Sequence, residues 1–329
     1  MGRVRFYTSS DEHISDQAPV LRTDCYLDTV LKKIAWQHEF AQNSECTALI
    51  RGGDFFHHKA PSKTSHSTIL RLYSILSSFQ IPTYAAVGNH DVQYNNLEML
   101  KNAPLGVMYQ HSSFNRLNTK VFESSGVTVK LVAVDYDPNE TLDSLLFKIK
   151  KDPDYSYTMA VVHGLAENKP REKVSKFFGD AIYAYEDLDM KGVADVLMFG
   201  HYHKDQGVID GSHTKIINLG SMTRGSLTFE NLSRKPKNSL VTFTHSGIDI
   251  DQIEVPCADA SKVFDLEKKR IIERELKDIS DFVEKIRSSN MSTDDTIKSF
   301  KETIKNDYPE RLSRLALDFL EAAEAGTVE

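Results

Sequence analysis

The sequence predicts an α/β protein with two packed sheets, followed by a helical C-terminal segment. Short β-rich runs alternate with helix-length stretches in the first part of the chain, the later runs follow one another more closely, and strand-like alternation stops after Pro256. Alternating strands and helices indicate a largely parallel sheet, and closely spaced strands favour a second sheet packed on the first.

The individual elements are predicted from apolar periodicity and from the residues that end each run. The predicted strands are Val4–Thr8, Ala48–Arg51, Thr83–Val87, Val129–Val134, Thr158–Val162, Val196–Phe199, Lys215–Asn218 and Leu240–Thr244. The two early helices are predicted at about 21–42 and 62–79, and Pro82 ends the second one.

The domain boundary is predicted at the stretch Val255-Pro256-Cys257-Ala258. It separates a larger domain, 1–256, from a helical segment, 257–329. Five aliphatic residues of that segment repeat with the 4-3-4-3 spacing of a two-heptad seam: Ile272, Leu276, Ile279, Val283 and Ile286. Such a seam either caps the chain's own core or binds a partner helix, and the sequence leaves both open.

The composition is that of a soluble globular protein, with 40% hydrophobic and 26% charged residues and a formal net charge of −7. From residue 257 onward lie 13 of the 40 basic and 17 of the 47 acidic residues, so neither part of the chain is basic. Any attraction to a nucleic-acid backbone must therefore come from local patches or from bound metal.

The three cysteines, Cys25, Cys46 and Cys257, are far apart and form no Cys-x-x-Cys pair, which predicts free thiols in a reducing compartment. No apolar run approaches membrane-spanning length, and the first residues lack the apolar core of a signal peptide. A cytoplasmic protein without membrane contact is expected.

Five segments place metal-ligand residues directly after predicted strands. They are Asp11-Glu12-His13, Gly53-Asp54, Gly88-Asn89-His90-Asp91, His163-Gly164 and Gly200-His201-Tyr202-His203. Taken alone, Asp11-Glu12-His13 and Gly53-Asp54 are more often ordinary turns, and His163 is more often a hydrogen-bonded core residue, whereas the Gly-Asn-His-Asp and Gly-His-x-His segments are more specific. The carboxyl ends of strands in an α/β sheet meet at one crevice, however, so the five together predict one metal site.

The residue types in these segments fit two cations rather than one. Two carboxylates, one amide and four imidazoles are available, and Asp54 is the candidate to bridge the ions. Imidazole-rich sites suit manganese, iron or zinc better than calcium or a mostly hydrated magnesium, and of the three manganese is the ion expected here. Two such ions can activate a water molecule and hold the oxygens of a phosphoryl group, which predicts a phosphoesterase.

The order of these segments resembles that of the calcineurin-like metallophosphoesterases, Asp-x-His, Gly-Asp, Gly-Asn-His-Asp/Glu, His and Gly-His-x-His. The block Gly53-Asp54-Phe55-Phe56-His57-His58-Lys59-Ala60-Pro61 is similar to the Gly-Asp-Leu-Phe-His-x-x-x-Pro block of SbcD-type nuclease subunits. Asn218-Leu219-Gly220-Ser221-Met222-Thr223-Arg224 is similar to their Gly-Ser-x-x-Arg segment. The Gly-Asp-x-x-Asp-Arg-Gly block of protein Ser/Thr phosphatases is absent. The resemblance spans residues 4 to about 245, and the short chain is similar to phage-encoded members.

The resemblance implies a four-layer α/β/β/α sandwich and a specific assignment of the site. One metal would bind Asp11, His13, Asp54 and His203, and the other Asp54, Asn89, His163 and His201. His90 would contact the scissile phosphate or protonate the leaving oxygen, with His57 beside it. Ser15 stands where the family usually has glycine, so the first loop need not have the family's shape.

For function, the resemblance implies a DNA exonuclease, with endonuclease activity as well, that works with an SbcC-type SMC-like ATPase through the C-terminal helices. A homodimer is also allowed. Basic residues near the later ligands are candidate DNA contacts: Lys169, Arg171, Lys173 and Arg224. Two alternatives stay open, a phosphodiesterase for small nucleotides and a DNA-binding subunit with a vestigial metal site.

Overall fold

The computed structural model describes residues 2–168, 181–272 and 274. The chain forms two compact units, Met1–Phe264 and Asp265–Glu329. The first unit extends past Pro256 because Val263 and Phe264 are buried within it. The predicted DNA contacts Lys169, Arg171 and Lys173 lie outside the described residues, as does the apolar seam from Leu276 onward.

The strands of the first unit carry its two large sheets. Within the described residues they are β1 (Arg3–Ser9), β2 (Ala48–Arg51), β3 (Thr83–Ala85), β4 (Phe114–Arg116), β5 (Thr119–Ser124), β6 (Val127–Val134), β7 (Tyr157–His163), β8 (Leu165–Glu167), β9 (Ile182–Ala184), β10 (Val196–Gly200), β11 (Gly207–Asp210), β12 (Lys215–Asn218), β13 (Lys237–Thr244) and β14 (Gly247–Glu254).

The helices lie between these strands. In the described part of the chain they are α1 (Tyr26–Asn43), α2 (His66–Ser77), α3 (Pro104–Met108), α4 (Leu142–Lys148), α5 (Tyr185–Leu188), α6 (Phe229–Ser233) and α7 (Ala260–Val263), with 3-10 turns at Pro61–Lys63, Gln93–Asn95 and Leu97–Asn102. The side chain of Ser65 begins α2 by accepting a hydrogen bond from the Thr68 amide. No helix in the described ranges has the length and apolar character needed to span a membrane.

The first sheet has the strand order β14-β13-β1-β2-β3-β4, and the second has the order β11-β12-β10-β7-β6-β5. Strands β1 to β4 are parallel, as are β12, β10, β7 and β6. The remaining strands of the two sheets, β13, β14, β11 and β5, pair antiparallel with their neighbours. Strands β8 and β9 form a separate parallel pair.

Apolar side chains divide the unit into layers. Phe6 and Ile50 of the first sheet pack with Leu131 and Met198 of the second in one buried cluster between the sheets. Helices α1 and α2 cover the outer face of the first sheet, and α4 and α5 cover that of the second. Helices therefore lie on both outer faces, and the predicted α/β/β/α arrangement is confirmed.

Candidate metal centre

Five strand ends, three from the first sheet and two from the second, bring the predicted ligands together. The ends of β1, β2 and β3 lead to Asp11, His13, Asp54 and Asn89, and the ends of β7 and β10 lead to His163, His201 and His203. Because these five strands are parallel within their sheets, their carboxyl ends open on the same side of each sheet. Long-range strand order thus gathers residues that lie almost two hundred positions apart.

One group of ligand atoms comes from Asp11, His13, Asp54 and His203, which each offer an atom within 4.8 Å of the others. The Nε2 atoms of His13 and His203 are 2.8 Å apart. The Oδ2 atom of Asp54 lies 3.7 Å from His13 Nε2, and the Oδ1 atom of Asp11 lies 3.6 Å from His203 Nε2. Such spacing between ligand atoms fits a single ion bound among them.

A second group comes from Asp54, His163 and His201, again within 4.8 Å of one another. The Nε2 atom of His163 lies 3.5 Å from Asp54 Oδ1 and 3.2 Å from Asn89 Oδ1. Asp54 therefore presents Oδ1 to the second group and Oδ2 to the first. A carboxylate shared in this way is what two neighbouring cations require.

The backbone of four ligands is left-handed, with φ of 55° at Asp11, 47° at His13, 52° at Asp54 and 88° at His201. A non-glycine residue in this region costs of order 1–3 kcal/mol and persists only where the surroundings hold it. Here the amide of Asp11 donates to Gly53 O at 3.1 Å, and the amide of His13 donates to Asp54 O at 3.0 Å. The loops after β1 and β2 thus hold each other's strained backbone in place.

Two glycines allow the loops to approach this closely. A Cβ atom at Gly53, where φ is 98°, would collide with the His163 ring, and a Cβ atom at Gly88 would collide with the Asp54 carboxylate. Any larger residue at these positions would displace a ligand.

Hydrogen bonds outside the ligand groups orient the ligands. His163 Nδ1 donates to the carbonyl of Gly52 at 2.7 Å, which leaves Nε2 as the ligand atom. The buried carboxylate of Asp91 accepts from the amides of Gly88 at 2.9 Å and Phe56 at 3.1 Å. Asp91 therefore joins the loop after β2 to the loop after β3, although the sequence alone gave this residue no role.

The buried carboxylates favour positive charge in the centre. Burial by itself would raise the pKa of Asp11, but His203 and His163 outweigh it and hold that pKa at about 2. Burial opposes a charge on His163, yet Asp54 and Asp11 raise its pKa to about 10. Burial, aided by His203, lowers the pKa of His13 well below its usual range. Positive charge is therefore favoured beside Asp11 and Asp54, and a divalent ion bound there would displace the proton from His163. The donor set fits two divalent ions.

His57 and His90 lie at the open side of the first group. Their rings are stacked with centroids 5.3 Å apart, and His90 Nδ1 donates to the carbonyl of His57 at 2.8 Å. The His90 amide also donates to Asp54 Oδ1 at 2.8 Å, so its backbone is tied to the bridging carboxylate. Burial, with His90 and His58, lowers the pKa of His57 to about 4. Backbone contacts therefore hold the His90 ring beside the metal ligands, and the His57 ring stacks on it.

The calcineurin-like phosphoesterase family matches residues 5–205, which is more than half of the chain. The chain belongs to this family. It is 22% identical over 261 residues to the DNA double-strand break repair protein Mre11 of Methanosarcina acetivorans. That match covers 77% of this chain but only 39% of the relative, so the chain spans well under half of that protein's length. The solved structure of TT1561 from Thermus thermophilus matches 78% of this chain and all of its own, with 12% identity and a TM-score of 0.45.

In this phosphoesterase, Arg224 does not occupy the position expected of a DNA contact. Its side chain is only 4% exposed, and its guanidinium donates a hydrogen bond to the carbonyl of Ala258. A guanidinium turned into the protein does not face a phosphate backbone, so the predicted contact is not offered by this conformation. The partner carbonyl lies 34 residues further along the chain, and the sequence gave no sign of it.

Two features of the centre were not predicted. The ring of Tyr136, just after β6, lies with its centroid 5.4 Å from that of His201 and 6.2 Å from that of His163. A buried ion pair between Arg51 and Glu12 lies behind the first two loops. An aromatic residue after a strand is too common to be a signal, whereas an arginine that ends the apolar strand β2 could have indicated a buried partner.

Proposed function

We propose that this phosphoesterase is a two-metal DNA nuclease. The observation that carries the proposal is the carboxylate of Asp54, which divides its oxygens between two groups of metal ligands. Two ions at such a centre would activate a water molecule and neutralise the oxygens of a phosphodiester. Asp11, His13, Asp54 and His203 would hold one ion, and Asp54, Asn89, His163 and His201 the other.

His90 is proposed to act on the leaving oxygen. Because its Nδ1 atom donates to the carbonyl of His57, the Nε2 atom is left for the substrate. From there it can donate a hydrogen bond or a proton as the P–O bond breaks. His57 positions His90 through that carbonyl. The Nδ1 atom of His57 itself lies 3.3 Å from the Nδ1 atom of His13.

DNA is favoured as the substrate for two reasons. The block from Gly53 to Pro61 resembles that of SbcD-type nuclease subunits, and the relative from Methanosarcina is described as a DNA double-strand break repair protein. We expect both exonuclease and endonuclease cleavage, with manganese as the ion.

An SMC-like ATPase of the SbcC type is proposed as the partner. The segment 257–329 would bind it through the apolar seam that begins at Ile272. This part of the proposal rests on the spacing of the seam and on the resemblance.

The test uses the full chain with Mn²⁺ and end-labelled DNA, first alone and then with the ATPase. We expect cleavage that EDTA abolishes, and faster degradation of duplex DNA when the ATPase and ATP are added. Cyclic nucleotides serve as the competing substrate. Faster turnover of a cyclic nucleotide than of an oligonucleotide under matched conditions would favour a small-nucleotide phosphodiesterase instead.

A further inference from the structure

A groove of about 440 Å³ lies beside the first group of metal ligands and is lined there by the imidazoles of His13, His57, His58 and His203. Its walls are the loop 15–20 and the segment 223–226, with Tyr26 between them. The described residues that line it include no aspartate, glutamate, lysine or arginine. Its lip is apolar, since Pro19 and Val20 stand there and Val20 is 76% exposed.

Buried cations lie behind one wall of this groove. These cations donate hydrogen bonds to the four successive carbonyls of residues 221–224. The last two of these residues belong to the wall, and the first two directly precede it. Arg234 donates to Ser221 O at 2.8 Å and to Thr223 O at 2.7 Å, Lys33 to Met222 O at 3.1 Å, and Arg22 to Arg224 O at 2.9 Å. Hydrogen bonds from charged donors to consecutive carbonyls fix the path of this segment and place positive charge directly beneath it.

The charges behind this wall do not cancel. Arg22 is paired with Asp24 at 2.7 Å, but Lys33, Arg224 and Arg234 form no ion pair among the described residues. Asp205 and Glu230 act on Arg234 from a greater distance, and Asp205 is itself paired with Lys237 at 3.3 Å. Burial, with the nearby arginines, lowers the pKa of Lys33 to about 7, so the lasting excess of positive charge comes from the arginines.

The opposite wall adds no negative charge to the groove. Its one carboxylate, Asp16, accepts hydrogen bonds from the side chain and amide of Ser65 and from Thr68 Oγ1, at the start of α2. The amino end of a helix stabilises such a charge, and the groove side of the loop is left with neutral residues.

We propose that this groove binds the nucleotides that flank the scissile phosphodiester on the His13 side of the centre. The apolar lip would contact a sugar or base, and the buried cations would attract the next phosphate from behind a neutral surface. Its volume is that of a small-molecule site and does not accommodate a duplex, so a single strand occupies it. This inference rests on the proposed nuclease function and adds the path of the strand.

The test places opposite charges at one position in the groove. Ser226 is exposed and lines the wall, so Ser226→Glu and Ser226→Lys differ there mainly in the sign of the charge. Leu70→Glu is the matched control, because it makes the same change in net charge at a residue of α2 that is 65% exposed and outside the groove. KM and kcat are measured in Mn²⁺ on a single-stranded oligonucleotide and on bis(p-nitrophenyl) phosphate, a diester without nucleotides.

For Ser226→Glu we expect the kcat/KM ratio of oligonucleotide to small diester to fall by about fivefold or more, through KM, as a local charge effect. Ser226→Lys should keep or raise that ratio, and Leu70→Glu should leave it at the wild-type value. An unchanged ratio for Ser226→Glu, or an equal fall for Leu70→Glu, overturns the groove assignment. In that case, cleavage of DNA by the wild type would still support the proposed nuclease function. A wild type that hydrolyses the small diester, yet neither cleaves the oligonucleotide nor is inhibited by it, overturns the proposed function and the groove assignment together.

Discussion

The guanidinium of Arg51 lies 2.8 Å from the carboxylate of Glu12, and both side chains are almost completely buried. Arg51 ends β2 directly before the loop that carries Asp54, and Glu12 stands between Asp11 and His13. The ion pair therefore joins the two loops whose strained backbones supply most of the first ligand group. Burial raises the pKa of Glu12, while Arg51 and Ser9 act in the opposite direction and favour its ionised form.

Glu12→Gln keeps the shape of the side chain but leaves Arg51 buried without a counter-charge. Removing one partner of a buried pair typically costs about 3–5 kcal/mol, so we expect a loss of that order in the free energy of unfolding measured in urea. The double variant Glu12→Leu/Arg51→Met removes both charges and should recover much of that loss. A single variant as stable as the wild type would show that the pair does not hold the loops.

The ligand segments could be predicted because each one carries its chemistry in adjacent residues. Gly88-Asn89-His90-Asp91 and Gly200-His201-Tyr202-His203 are recognisable without any knowledge of the fold. Strands that lead to ligand segments, such as β2 before Gly53-Asp54 and β10 before His201, are wholly buried and therefore mostly apolar. All seven predicted ligands lie together in the structure.

The edges of the sheets were harder to predict because pairing, rather than apolar content, defines them. In β5 the side chains of Thr119, Lys120 and Val121 are exposed, and its place is set by the antiparallel contact with β6. In β14, Ile248 and Ile250 alternate with aspartates, a pattern that could have indicated a strand. The burial of Arg224 could not be foreseen, because its partner carbonyl belongs to a distant part of the chain.

Asp54→Ala is expected to disturb both metal positions, because each carboxylate oxygen of Asp54 faces a different ligand group. His13→Ala is the matched comparison, since His13 contributes to the first ligand group and not to the group of Asp54, His163 and His201. After dialysis against Mn²⁺, metal analysis should find about two ions in the wild type, about one in His13→Ala and fewer in Asp54→Ala. Two ions retained by Asp54→Ala would contradict a bridging role.

His90→Ala is expected to keep its metal and lose cleavage by a factor on the order of 10², the usual contribution of a positioned acid or hydrogen-bond donor. The reason is that His90 is tied to Asp54 only by its backbone amide, so its ring can be removed without removing a predicted ligand. His111→Ala is the control, because that ring contacts Ser77 and Tyr73 on a different face. Loss of metal from His90→Ala would instead identify His90 as a ligand.

Lys33 should make stability depend on pH. Its ammonium group is buried, and Nζ donates to the carbonyl of Met222 at 3.1 Å. Burial lowers its pKa from 10.5 to about 7 in the folded state, with Arg224 and Arg22 adding to the effect. Between those values the unfolded chain binds a proton that the folded protein does not. The contribution of Lys33 to the free energy of unfolding therefore rises with pH in this window, by at most about 1.4 kcal/mol per pH unit.

The measurement compares the wild type with Lys33→Met by urea unfolding in EDTA, at several pH values from about 6 to about 9. Other groups titrate in both proteins, including Tyr7 and Cys46, whose pKa values burial raises, so their effects cancel in the difference. The Lys33→Met variant has no charge to bury at this position. Its free energy of unfolding relative to that of the wild type should therefore be greatest near pH 6 and should decline as the pH rises through 7. Parallel stability curves for the two proteins would mean that Lys33 keeps its ordinary pKa in the folded state, and that the wall beside the groove carries one more full positive charge at neutral pH.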